Sequence, residues 1–154
     1  MRLNVRAAVS GYMLHALIAL MLLATPALAW ETRSGKVCEL THKDELSRIR
    51  ITYDLAISEY AIAITLNRTW APKPVFGIRF EGQRSMTIST NRHLLSADRK
   101  TLTVKDRGFG NVLNGIEFND TATAVLGDQA VIVTLDGAGP AVRAFRACAS
   151  GLGV

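Results

Sequence analysis

From residue 48 onward, apolar and polar residues alternate along much of the chain, and this pattern predicts a protein built mainly of strands. In the run from Arg48 to Asp54, Ile49, Ile51 and Tyr53 fall on one side and Arg48, Arg50 and Thr52 on the other, the period of two expected of a half-buried strand. Tyr60, Ile62, Ile64 and Leu66 repeat it, with Ala61, Ala63 and Thr65 as the outer row. Phe76, Ile78 and Phe80 then alternate with Gly77, Arg79 and Glu81; beyond Gly82, Met86 and Ile88 alternate with Ser85, Thr87 and Ser89. A two-residue loop at Gly82-Gln83 would set Phe80 against Ser85 and mix the faces. A three-residue loop through Arg84 sets Phe80 against Met86 and Ile78 against Ile88, so this register is expected.

The pattern also predicts a second hairpin. Ala122, Ala124 and Leu126 match Val131, Val133 and Leu135 only across a two-residue Gly127-Asp128 loop, and a leading glycine suits a type II′ turn. Leu102 and Val104 suggest one more short strand. Val112, Leu113, Ile116 and Phe118 have helical spacing, weakened by Gly108, Gly110 and Gly115. A carboxy-terminal helix is expected from Pro140, a favoured first-turn residue, with Ala141, Phe145 and Cys148 on one face and Gly151 as its stop. Thr41 and Asp44 around His42 read as a helix start with an acidic first turn, which would make His42 a solvated turn residue. The expected fold is mainly β: a small antiparallel sandwich or partly open barrel, with a short internal helix and a carboxy-terminal helix packed on it.

The first 29 residues read differently. Arg2 and Arg6 precede an apolar run from Ala16 to Ala24, followed by Thr25-Pro26 and Ala27-Leu28-Ala29. This is the order of a cleavable export signal, and the apolar run is short for a membrane span, which asks for about 20 residues. Residues 1–29 are therefore expected to be a signal peptide and residues 30–154 a single exported β-rich domain, periodic in pattern throughout and without a linker. The segment 1–29 holds two of the 18 basic residues and none of the 13 acidic ones, which leaves a mature net charge of +3. That is far from the strong basicity of a nucleic-acid binder, so no nucleic-acid partner is expected. Eleven of the remaining cations are arginines, whose planar guanidinium groups suit carboxylate and phosphate.

Two cysteines, Cys38 and Cys148, stand near the two ends of the mature chain. In an oxidising compartment such a pair reads first as a disulfide, ahead of a metal pair or a redox dithiol, because no Cys-x-x-Cys and no nearby histidine accompanies either residue. His42 and His93 have no partner at metal-ligand spacing. Known nucleotide, hydrolase and zinc-protease motifs are missing, so neither catalytic residues nor a cofactor or metal is assigned. Asp54 and Glu59 flank a predicted turn and read as solvent-facing carboxylates. Arg48, Arg50 and Arg79 lie on outer rows together with Ala61, Ala63, Thr87 and Ser89, and as one flat face could seat an anionic ligand; the other reading of these arginines is solubilising charge. Trp70 is a candidate partner anchor, or else packs over a sheet end.

Trp30 at the mature start, Cys38-Glu39-Leu40, the hairpin through Gly82, and the ending Val131 to Gly137 before Ala141 and Phe145 resemble the invasion-associated locus B family of small exported alphaproteobacterial proteins. The chain departs from that pattern in lacking a second pair of cysteines. The family has no established catalytic residues to carry over, and the resemblance implies a periplasmic or surface-associated accessory protein. Together these readings lead to the expectation of a non-enzymatic periplasmic or secreted interaction module that binds a protein or an anionic envelope component. The alternative is an inhibitor or immunity-type protein that inserts a loop such as Asn67 to Pro74 into a hydrolase.

Overall fold

The computed structural model describes residues 30–151; the expected signal peptide lies outside the described residues. Ten strands and two helices follow in the order β1 (Trp30–Arg33), β2 (Val37–Lys43), β3 (Ser47–Asp54), β4 (Glu59–Leu66), β5 (Phe76–Gly82), β6 (Met86–Thr90), β7 (Leu94–Leu95), β8 (Thr101–Asp106), α1 (Gly110–Phe118), β9 (Asn119–Leu126), β10 (Gln129–Thr134) and α2 (Ala138–Ala149). They form two antiparallel sheets, six strands ordered β1-β2-β3-β4-β8-β7 and four ordered β10-β9-β5-β6. The inner rows of both sheets, Ile49, Ile51, Ile62 and Ile64 on one and Phe76, Ile78, Phe80, Ala124 and Val133 on the other, belong to one buried cluster. The result is a sandwich rather than a closed barrel.

Both hairpin registers follow the alternation. Phe80 pairs with Met86 and Ile78 with Ile88, and Ala124 pairs with Val131 across Gly127-Asp128. Gly127 has φ of 60° and Asp128 has no positive φ, the sign pattern of the expected type II′ turn. The internal helix α1 presses on the same sheet so closely that a Cβ on Gly115 would meet the Phe80 ring at 2.5 Å. Asn119, buried at the end of α1, donates to the Gly115 and Arg84 carbonyls and accepts from the Arg84 amide, tying the helix to the β5–β6 turn.

Helix α2 begins two residues before Pro140, entered through a left-handed Gly137, and ends at Ala149, with the left-handed Gly151 two residues on donating its amide to the Cys148 carbonyl. It lies on β1, β2 and α1 and buries Ala138, Val142, Phe145 and Cys148. Cys148 is bonded to Cys38 on β2, with their Cα atoms 5.9 Å apart. Together the disulfide and the buried face of α2 fasten the end of the described chain to its second strand.

One expectation fails here, and of the two readings of Trp70 the packed one holds. Residues 41–43 are the end of β2, not a helix start, and His42 faces inward with 3% exposure, its ring 4.7 Å from that of Trp30. Asp44 does accept from the amides of Leu46 and Ser47, as a helix cap would, but the bonds close the β2–β3 turn instead. Trp70 is fully buried: its Nε1 donates to the Ile64 carbonyl and its amide to that of Arg99. It is a plug over the sheet rather than an exposed anchor.

Candidate binding face

The outer face of the six-stranded sheet is built by the same alternation that fills the core. Register sets its side chains in rows across β2, β3, β4 and β8: Thr41, Arg50, Ala63 and Thr103 in one, Glu39, Thr52, Ala61 and Lys105 in the next. Ala61 and Ala63 form a low floor along β4. Arg50 and Thr52 stand on one side of it and Thr103 and Lys105 on the other, which leaves a trough of about 400 Å³.

Charge is unevenly distributed along this trough. In its middle, Arg50 pairs with Glu39. The hydrogen bond from Arg50, with the nearby guanidinium charge, holds the Glu39 carboxyl below its ordinary range against the opposing effect of burial. Toward one end Asp54 stands opposite Glu59 across the β3–β4 turn, and Lys105 pairs with Glu59 there. At the other end Lys43 stands directly opposite Arg48, both exposed, and among the described residues neither has a carboxylate within ion-pair distance. Like charges placed opposite each other on neighbouring strands are destabilising, and the turn that joins this pair carries Asp44 and Glu45. Thr65 and Thr101 continue the same row, their hydroxyls 2.9 Å apart. Two cations without an ion-pair partner among the described residues, beside hydroxyls, provide electrostatic attraction and hydrogen-bond donors for an anion.

Arg79 does not belong to this face. It lies on β5, on the outer side of the four-stranded sheet, paired with Glu81, so the three-arginine surface expected from the sequence divides between opposite sides of the sandwich. Thr87 and Ser89 share the side of Arg79, whereas Ala61 and Ala63 share that of Arg48 and Arg50. Lys43 was overlooked because residues 41–45 read as a turn; the alternation of Cys38, Leu40 and His42 with Glu39, Thr41 and Lys43 was the available signal. His93 is partly buried near the Phe76 ring. Among the described residues no group of three His, Cys, Asp or Glu side chains is arranged to hold a metal ion, and no helix is long and apolar enough to cross a membrane. Comparison with models of protein families, with curated proteins and with solved structures finds no match to this chain.

Proposed function

We propose that the protein is a non-enzymatic exported binding module, periplasmic or secreted, whose six-stranded face takes an anionic group of an envelope component. The observation that carries this reading is the Lys43–Arg48 pair, two like charges held opposite each other with no carboxylate within ion-pair distance among the described residues, beside the Thr65 and Thr101 hydroxyls. A phosphate or carboxylate seated there would relieve the repulsion and accept charge-assisted hydrogen bonds. The resemblance to the invasion-associated locus B family points to the same compartment. The test uses purified residues 30–154 and vesicles of phosphatidylglycerol or of phosphatidylcholine. Binding is expected to the anionic vesicles, to weaken steeply as salt is raised, and to be lost when Lys43, Arg48 and Arg50 are changed together to Gln. Arg79→Gln, on the opposite side, serves as the control and should bind as the parent does. Equal binding to both vesicles, or a triple variant that binds unchanged, refutes the assignment.

A second reading has its own support in the loop after Trp70. Ala71, Pro72, Lys73, Pro74 and Val75 are all exposed, yet the loop is braced at its base. The Gln129 side chain accepts from the Ala71 amide and donates to the Thr69 carbonyl, and Arg68 donates to Ala130. A braced loop with two prolines loses little conformational freedom on binding, the property an inhibitor loop needs. Recovery of one hydrolase in stoichiometric amount on the immobilised protein, abolished by Lys73→Glu, would favour this reading over the first.

A further inference from the structure

The two sheets differ in width, and the space opposite the wider one is filled unequally. Helix α2 covers the inner side of β1 and β2. At the other margin, beside β6, a cleft of about 260 Å³ opens between the sheets. Ile62 and Val104 form its wall on the six-stranded sheet, Ile78 and Ile88 its wall on the four-stranded one, and Phe109, the residue before α1, and Val112 of α1 close it. Its mouth is polar, carrying Thr90 and the Arg92–Asp106 ion pair.

The strand that borders this cleft is the least protected of the long sheet edges. Strand β10 has two edge carbonyls occupied, Ala130 by Arg68 and Thr134 by the Trp30 indole. Strand β1 has α2 against it, with Thr32 Oγ1 donating to the Ala141 carbonyl, and β7 is only two residues long. Strand β6 is five residues long and, among the described residues, pairs with β5 alone. Natural proteins usually block such edges with charges, prolines, bulges or a covering element. The residues of β6, Met-Thr-Ile-Ser-Thr, include neither a charge nor a proline.

We propose that β6 and the cleft form an acceptor site for an extended segment of a partner protein. The segment adds to the four-stranded sheet as a fifth strand, and its alternate apolar side chains enter between the sheets. The open row of backbone donors and acceptors recognises another extended backbone, as in strand addition generally. Five residues of pairing span about 17 Å at about 3.4 Å each. The cleft supplies selectivity, because only side chains on one face of the added strand, two residues apart, reach Ile88, Val104 and Val112. The partner sequence is thus one with apolar residues at i and i+2 and polar residues between them. This site is separate from the basic end of the outer face.

The experiment is panning of a random twelve-residue peptide library on residues 30–154, followed by affinity measurement on the enriched peptides. Enriched peptides should alternate apolar and polar residues. N-methylation at alternate backbone nitrogens, on the register that removes the inter-strand bonds, should weaken them at least tenfold. Ile88→Trp, which fills the cleft from β6, should do the same, and Val112→Phe fills it from α1 should the first variant melt at a much lower temperature. The Lys43, Arg48 and Arg50 triple variant should bind these peptides normally, which separates failure here from failure of the anion-binding assignment. Absence of alternating peptides, or affinity unaffected by both N-methylation registers and by the filled cleft, overturns the proposal. So does sedimentation showing a dimer of the chain that Ile88→Trp dissolves, since the occupant is then a second copy.

Discussion

Breaking the Cys38–Cys148 bond removes the one covalent tie across the fold, and its effect can be worked from the chain length between the cysteines. The sequence separation is 110 residues. Closing a loop of that size removes about 16 cal/mol/K from the unfolded ensemble, equivalent to about 4–5 kcal/mol at 25 °C. That is a large share of the stability of an ordinary domain, about 5–15 kcal/mol. Helix α2 should nevertheless remain docked after reduction, because Ala138, Val142 and Phe145 are each fully buried and do not depend on the sulfur bond. The reduced protein is therefore expected to be folded but weakened. The assay is urea unfolding of the oxidised protein, the reduced protein and the Cys38→Ala/Cys148→Ala variant. Alanine is preferable to serine, since both positions are buried and an unpaired hydroxyl would add its own penalty. With an m-value of about 1.5 kcal/mol/M, the reduced midpoint should fall by about 3 M. A loss below about 1 kcal/mol would refute the reasoning, because it would mean that the unfolded chain already holds its ends together or that reduction relieves an opposing native-state cost.

Phe145→Ala should cost about 3–5 kcal/mol in the same assay, through lost burial and the cavity left under α2; a loss below about 1 kcal/mol would place the helix off the sheet. Gly115→Ala should destabilise by about 1–3 kcal/mol, because the new methyl enters the Phe80 ring and one of the two elements must shift; an unchanged melting temperature would contradict that close approach. Burial pushes the Asp44 carboxyl up, but the amides of Leu46 and Ser47, the Ser47 hydroxyl and His42 outweigh it and hold the carboxyl below its ordinary value of 3.8. A lowered folded-state pKa gives stability that is present above the unfolded value and lost as pH falls through the folded one. Asp44→Asn should therefore be less stable than the parent at pH 7, with the gap closing below about pH 4; a gap that persists at pH 2 would show that the charge of Asp44 is not its source.

Much of this architecture could be read locally. The β5–β6 and β9–β10 registers needed only the alternation of their own residues and the number of residues between them, because a slip of one position turns every apolar side chain to the wrong face. The cysteine pairing needed only that two thiols be present. Strand β2 was misread for a chemical reason. A carboxylate that accepts from backbone amides two and three residues ahead serves a helix cap and a tight turn alike, so Asp44 did not distinguish them. The inward-facing His42 also interrupted what would otherwise read as an apolar row. Packing over a sheet end was one of two readings of Trp70, and spacing did not choose between them; its place depends on carbonyls of Ile64 and Arg99 brought together by the pairing of β4 with β8.

The sequence by itself therefore determined the inward rows of β3, β4, β5, β9 and β10, where the β5–β6 and β9–β10 hairpins turn, and that Cys38 and Cys148 could be cross-linked, since each depends on spacing along a few residues or on composition. Only the tertiary structure decided which strands share a sheet. That assignment sent Arg79 to the opposite side from Arg48 and Arg50, brought Lys43 against Arg48, and left β6 bordering an open cleft. Sheet membership is set by which buried faces fit against each other across long stretches of chain, and alternation states only that a residue faces outward, not which outward surface it joins.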